Sequence, residues 1–120
     1  MNQTLPVIRV VQADITTLAV DAIVNAANSS LLGGGKGESE RLASCYKHSL
    51  ELAEKNGVTT IAFPSISTGI YGYPIESAAT IAINTVNAYL KQGSSLKEII
   101  FCCFSEEDCQ VYKKVLNEFE

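Results

Sequence analysis

Between Ile23 and Gly35 the chain reads Ile-Val-Asn-Ala-Ala-Asn-Ser-Ser-Leu-Leu-Gly-Gly-Gly, an apolar strand that runs into an Asn/Ser turn and then three consecutive glycines. Gly33, Gly34 and Gly35 bring little packing energy and are costly to order, so their natural use is to let main-chain amides approach a phosphate or a ribose. The competing reading is a flexible linker. Asn25 and Asn28 flank the two alanines; their amides both donate and accept, which suits vicinal hydroxyls and equally suits the local backbone of a turn. A second glycine-bearing stretch, Ser67-Thr68-Gly69-Ile70-Tyr71-Gly72, stands between a strand and a helix, where loop amides and the helix N-terminus can cradle a diphosphate. It holds no Lys or Arg, and Lys36 is followed by Gly37, so neither loop is a Walker loop, which needs Gly-Lys followed by Ser or Thr. Tyr71 could cover a diphosphate or ribose, or simply pack.

Other chemistry is sparse. The single histidine, His48, sits in a helical stretch with no ligand partner at i+3 or i+4 and no evident Ser or Cys to activate, so the sequence supports neither a metal site nor a triad. Cys45, Cys102, Cys103 and Cys109 have neither CxxC spacing nor a secreted-scaffold pattern, which predicts buried thiols in a reducing compartment. Cys102 and Cys103 are neighbours in an apolar strand and should point to opposite faces rather than pair.

These groups must be positioned by a chain of 120 residues, long enough for one domain that buries roughly two thirds of its unfolded surface. With 47% hydrophobic and 18% charged residues the composition is that of a globular protein, and no apolar run is long enough to span a bilayer. The opening Met-Asn-Gln-Thr-Leu-Pro lacks the basic and apolar regions of a secretory signal, which gives a cytoplasmic expectation. A net charge of −4 weighs against nonspecific nucleic-acid binding, without excluding one small anion held by amides.

Strands are expected at Val7 to Gln12, Ala22 to Asn25, Thr60 to Ile66 and Ile99 to Phe104. A helix is expected over Arg41 to Lys55, with Leu42, Tyr46, Leu50 and Ala53 on one stripe and a stop at Asn56-Gly57. Another has Pro74 in its first turn, a stripe of Ile75, Ala79, Ala82, Val86 and Leu90, and an end at Gly93. Ser105-Glu106-Glu107-Asp108 resembles a capping box for a last helix carrying Val111, Val115, Leu116 and Phe119. Helices alternating with strands that are apolar throughout predict a mostly parallel sheet covered by helices on both faces, with ligands beyond the carboxyl ends of the strands.

Four segments in this order, Gln12-Ala13-Asp14-Ile15-Thr16, Val20 to Asn28, Leu31 to Gly35 and Ser67 to Pro74, resemble the signatures of macrodomains, ADP-ribose-binding α/β modules, and are closest to the MacroD-type branch, which includes hydrolases of ADP-ribosyl esters and O-acetyl-ADP-ribose. The resemblance implies a three-layer α/β/α fold over residues 1–120 as a single domain. It also implies a shortening, because Gly35 leads through Lys36-Gly37-Glu38-Ser39 directly to the helix at Arg41. A helix and two strands of the usual fold are expected to be missing, leaving about four strands, and with them the family's acidic catalytic residue. Residue by residue, the resemblance places Asp14 at the adenine amino group with the Ile15 amide nearby. A turn or helix cap is the plain alternative for Asp14. Asn25 and Asn28 come near the distal ribose, Gly33 to Gly35 near that ribose and the phosphates, Ser67 to Gly72 around the diphosphate, and Phe104 beside the adenine, where core packing would explain it as well. Family chemistry uses a positioned water, and with the acidic segment absent Asn25 and Tyr71 are what remain; neither is a good base at neutral pH, so weak or absent hydrolysis is expected. No cofactor or metal is expected.

Three function classes follow: a module that binds ADP-ribose or an ADP-ribosyl adduct, which is the main expectation; a weak ADP-ribosyl ester or O-acetyl-ADP-ribose hydrolase; and a minimised scaffold that binds little. The lost strands would also bare the edge at Ala22 to Asn25 and invite a homodimer.

Overall fold

The computed structural model describes residues 6–24, 38–65 and 74–119. Four strands form one sheet in the order β1-β4-β3-β2, with every pairing parallel: β1 (Val7–Gln12), β2 (Ala22–Ile23), β3 (Thr60–Pro64) and β4 (Glu98–Cys103). The described residues also form three α-helices, α1 (Glu38–Lys55), α2 (Ile75–Lys91) and α3 (Glu106–Phe119). Residues Ile15–Thr17 form a short 3-10 turn in the crossover from β1 to β2.

After Thr60 and Glu98 the central strands are apolar because both of their faces are buried. From Ile99 to Cys103 every residue of β4 is buried, and Ile61, Ala62 and Phe63 of β3 are buried as well. Edge strand β1 alternates instead, with Ile8 and Val10 turned to the core and Val7 and Arg9 exposed. Ile99, Phe101 and Cys103 join Ile61 and Phe63 in one cluster with Leu42, Tyr46 and Leu50 of α1, Ala79, Ala82 and Val86 of α2, and Tyr112 and Val115 of α3. All three described α-helices therefore pack on the same face. On the opposite face, which Ile100 and Cys102 occupy by alternation, the described residues contain no helix longer than that 3-10 turn, and the crossover begins there, the Cys102 thiol donating to the Ala13 carbonyl oxygen at 3.0 Å. Four buried rings bind the layers together: Tyr46 lies 4.7 Å from Phe63, Phe63 5.9 Å from Phe101, and Phe101 5.5 Å from Tyr112, centroid to centroid. Such contacts contribute roughly 0.5–1.5 kcal/mol each beyond the area they bury.

Both expected helix stops form. Helix α1 closes at Gly57, whose φ of +74° opens the left-handed region; the Gly57 and Val58 amides donate to the Glu54 and Ala53 carbonyls, a Schellman cap. Gly93, at φ +96°, closes α2 with its amide on Leu90. Several boundaries differ from expectation. Helix α1 begins at Glu38 rather than Arg41, three residues into the polar run. Pro74 is the capping residue before α2, extended at ψ 138°, and not part of its first turn. Strand β3 stops at Pro64, and β4 at Cys103 rather than Phe104. Strand β2 covers Ala22–Ile23, extended by the Val24 amide donating to Ala62. The expected strand ends at Asn25 and Ile66 lie outside the described residues.

Candidate functional site

Parallel strands bring the chain segments that follow them to one edge of the sheet, and here three segments meet. Beyond the carboxyl ends of β1, β4 and β3 lies a cleft of about 420 Å³, inside the ~300–1,000 Å³ range usual for small-molecule sites. Ala13, Asp14 and Ile15 enter it after β1, Pro64 and Ser65 from the end of β3, Cys102 and Phe104 from β4, and Asp108 from the first turn of α3.

Asp14 caps the 3-10 turn. Its Oδ1 accepts from the Thr16 amide at 2.9 Å and from Thr16 Oγ1 at 2.7 Å, while its carbonyl oxygen accepts from the Thr17 amide and hydroxyl. The plain alternative for this residue is therefore realised. It uses one carboxylate oxygen, and Oδ2 has no partner among the described residues. The Thr16 hydroxyl, then the Thr16 amide, hold the carboxyl below the ordinary aspartate value, so it is ionised and acceptor-only at neutral pH. The Ile15 amide, first in the turn, takes no part in the turn's internal bonding.

Phe104 is 90% exposed. The core-packing alternative is thereby overturned: β4 ends one residue earlier, and the ring stands at the cleft wall. Cys102 forms another part of the wall, and burial pushes its thiol up, which leaves it protonated and a poor nucleophile. Asp108 is fixed by the cap that the sequence suggested, its amide donating to Ser105 Oγ at 3.1 Å.

Of the expected site residues, the structure brings together Asp14, Ile15 and Phe104. Asn25, Asn28, Gly33, Gly34, Gly35, Ser67, Thr68, Gly69, Ile70, Tyr71 and Gly72 lie outside the described residues. Ser65, Cys102 and Asp108 were not anticipated; their only signal was position, at or just past strand ends. His48 is exposed and lines a different cavity, beside β2. Among the described residues no group of His, Cys, Asp and Glu could hold a metal ion, the four cysteines are free and buried, and no helix is long and apolar enough to cross a membrane.

Comparison with known proteins agrees with this geometry. The Macro domain family model matches residues 34–82. The chain is 42% identical to the macro domain-containing protein CT2219 of Chlorobaculum tepidum, across 91% of this chain and 95% of that protein. That alignment runs over 163 residues although the chain has 120, so the relative carries a segment that this chain lacks. It is 38% identical to human ADP-ribose glycohydrolase MACROD2, across 90% of this chain and 39% of that protein. The Trypanosoma brucei macrodomain in complex with ADP-ribose superposes with a TM-score of 0.80 at 28% identity, covering 91% of this chain and 68% of the other. A parallel α/β sheet with its cleft beyond the strand ends, and this degree of likeness over nearly the whole chain, establish that the protein belongs to the macrodomain family, in its MacroD-type branch, with the fold shortened.

Proposed function

We propose that this chain is a binding module for ADP-ribose or an ADP-ribosyl adduct. One observation carries the reading: an ionised Asp14 with one carboxylate oxygen uncommitted and an exposed Phe104 ring face the same cleft at the carboxyl edge of the sheet. The carboxylate accepts from an exocyclic amino group, the Ile15 amide donates to a ring nitrogen, and the ring offers a stacking face, which together describe an adenine site. The diphosphate falls to the amides of Ser67 to Gly72 and to the start of α2, whose cap at Pro74 supplies no side-chain acceptor for the first-turn amides. Asn25, Asn28 and Gly33 to Gly35 serve the distal ribose. The structure of a relative with ADP-ribose bound supports the ligand class. We take residues 1–120 to act as one shortened macrodomain, without cofactor, and four free thiols favour a cytoplasmic setting.

Likeness to relatives named ADP-ribose glycohydrolase and O-acetyl-ADP-ribose deacetylase favours a second reading, hydrolysis of ADP-ribosyl esters or O-acetyl-ADP-ribose. In it Asn25 positions the attacking water and the substrate phosphate activates it, which makes turnover slow. Calorimetric titration with ADP-ribose, using AMP and ribose 5-phosphate as controls, tests the first reading. Micromolar binding of ADP-ribose that fails in Asp14→Ala supports it, and no heat from any of the three ligands refutes it. Loss of turnover in Asn25→Ala with binding retained would support the second.

A further inference from the structure

We propose that this protein forms a twofold homodimer through the outer edge of β2, joining two four-stranded sheets into one of eight. Strand β2 ends the sheet, and its far side has no partner among the described residues. In its register Ile23 pairs with Ala62 while the Val24 amide donates to the Ala62 carbonyl, so alternate residues face β3 and the Ile23 N–H and C=O face outward. A single outward residue suits a twofold axis. Two copies of Ile23 set opposite each other exchange two N–H to O=C bonds, the self-complementary pairing that an isologous contact requires.

Side chains around that edge favour a second copy of this chain. A groove of about 350 Å³ runs between β2 and α1, past Ile23, Leu52, His48 and Asn56. Among the described residues its lining contains no carboxylate, ammonium or guanidinium group. Two copies of a chain carrying a net charge of −4 repel each other least where such a surface faces itself. Ile23 and Leu52 are 45% and 51% exposed, large aliphatic side chains that no described element covers. The groove lies between two elements consecutive in the chain, β2 and α1. An unpaired strand edge beside an apolar groove is a known route to association, and the described residues place no proline or lysine on β2 to block it.

Because the adenine cleft uses β1, β3, β4 and α3 and not β2, this proposal stands apart from the ligand reading. Sedimentation equilibrium of the full chain from about 1 μM to about 1 mM, a span that reaches even weak association, tests it. The expected result is a concentration-dependent dimer that Ile23→Lys and Leu52→Lys each convert to monomer with an unchanged circular dichroism spectrum. Ile23→Pro, which removes the outward N–H and leaves the bonds to β3 with alternate residues, should weaken the dimer at least tenfold. A wild-type chain that stays monomeric throughout overturns the proposal, as does a dimer that survives both lysine substitutions.

Discussion

Replacing Phe104 with alanine separates a ligand-facing ring from a structural one. A fully buried phenylalanine contributes about 1.5–3 kcal/mol to folding, so a ring left 90% exposed contributes a few tenths at most. Phe104→Ala should therefore lower Tm by less than about 2 °C for a domain of this size. Base stacking on an aromatic platform is worth about 1–3 kcal/mol, which predicts that the Kd for ADP-ribose rises roughly 5- to 150-fold. Phe104→Tyr keeps the platform and should stay within about threefold of the parent, well under one decade of affinity. Calorimetric titration gives the affinities, and thermal melting of the ligand-free protein gives the stability. An unchanged Kd in Phe104→Ala would refute the stacking role. A drop in Tm of more than about 4 °C would show instead that the ring is packed into the fold.

Other consequences can be read from single residues. Nothing stands within 4 Å of a Cβ built on Gly57, so Gly57→Ala meets only the strain of its φ of +74°, and denaturant unfolding should show a loss of about 1–2 kcal/mol. Glu54 accepts from the Ser94 hydroxyl, the Tyr89 hydroxyl and the Ser95 amide, joining the end of α1 to the end of α2, and these bonds hold its carboxyl below the ordinary value of 4.5. Its contribution to stability is then complete above pH 4.5 and fades as the pH falls through the lower folded value, so Glu54→Gln should flatten the acid limb of a Tm-against-pH curve. Burial pushes the Cys103 thiol up to about 12, and Cys45 and Cys102 upward as well, so an aromatic disulfide reagent at pH 8 should react with these thiols slowly in the native protein and rapidly in denaturant. For Asp14, Asn keeps the oxygen that caps Thr16 but places an amide donor against the donor it should bind. Asp14→Asn should melt like the parent and lose affinity for ADP-ribose.

Much of this arrangement was legible because local chemistry decided it. Strand β1 follows from a β-branched apolar run between Pro6 and Asp14, and the ends of α1 and α2 follow from glycines that alone adopt the left-handed conformation cheaply. The start of α1 was misplaced because Glu38 and Ser39 carry no apolar periodicity to extend the stripe that begins at Leu42. The cleft divides in the same way. Asp14 stands out as a turn acid within a motif. The contribution of Cys102 depends instead on which face of β4 it occupies, and that of Ser65 on the β3–β4 register, which pairs Pro64 with Cys102. Such quantities arise from pairing between segments far apart in sequence, and no local pattern encodes them. The placing of α1, α2 and α3 on one face belongs to the same class, since periodicity says that a helix buries a stripe and not on which side of the sheet.

The cleft and the exposed β2 edge fall on opposite parts of the sheet, and this bears on what such a domain can retain. Strands β1, β4 and β3 are the first three in the sheet order, and their ends supply seven of the eight described residues of the cleft, with Asp108 of α3 the other. Their packing rests on Phe63, Phe101 and Tyr112, fully buried rings stacked on one another beneath the cleft. Ile23 and Leu52, beside the other edge, are exposed, whereas the aromatic core beneath the cleft is closed. A site assembled from independent strand ends can therefore lose the wall that would hold a distal ribose while keeping the wall that holds a base. On this physical division we expect recognition of the nucleotide end to outlast catalysis at the ribosyl end, because base stacking and one carboxylate need only a rigid edge, whereas positioning a water requires the complete enclosure.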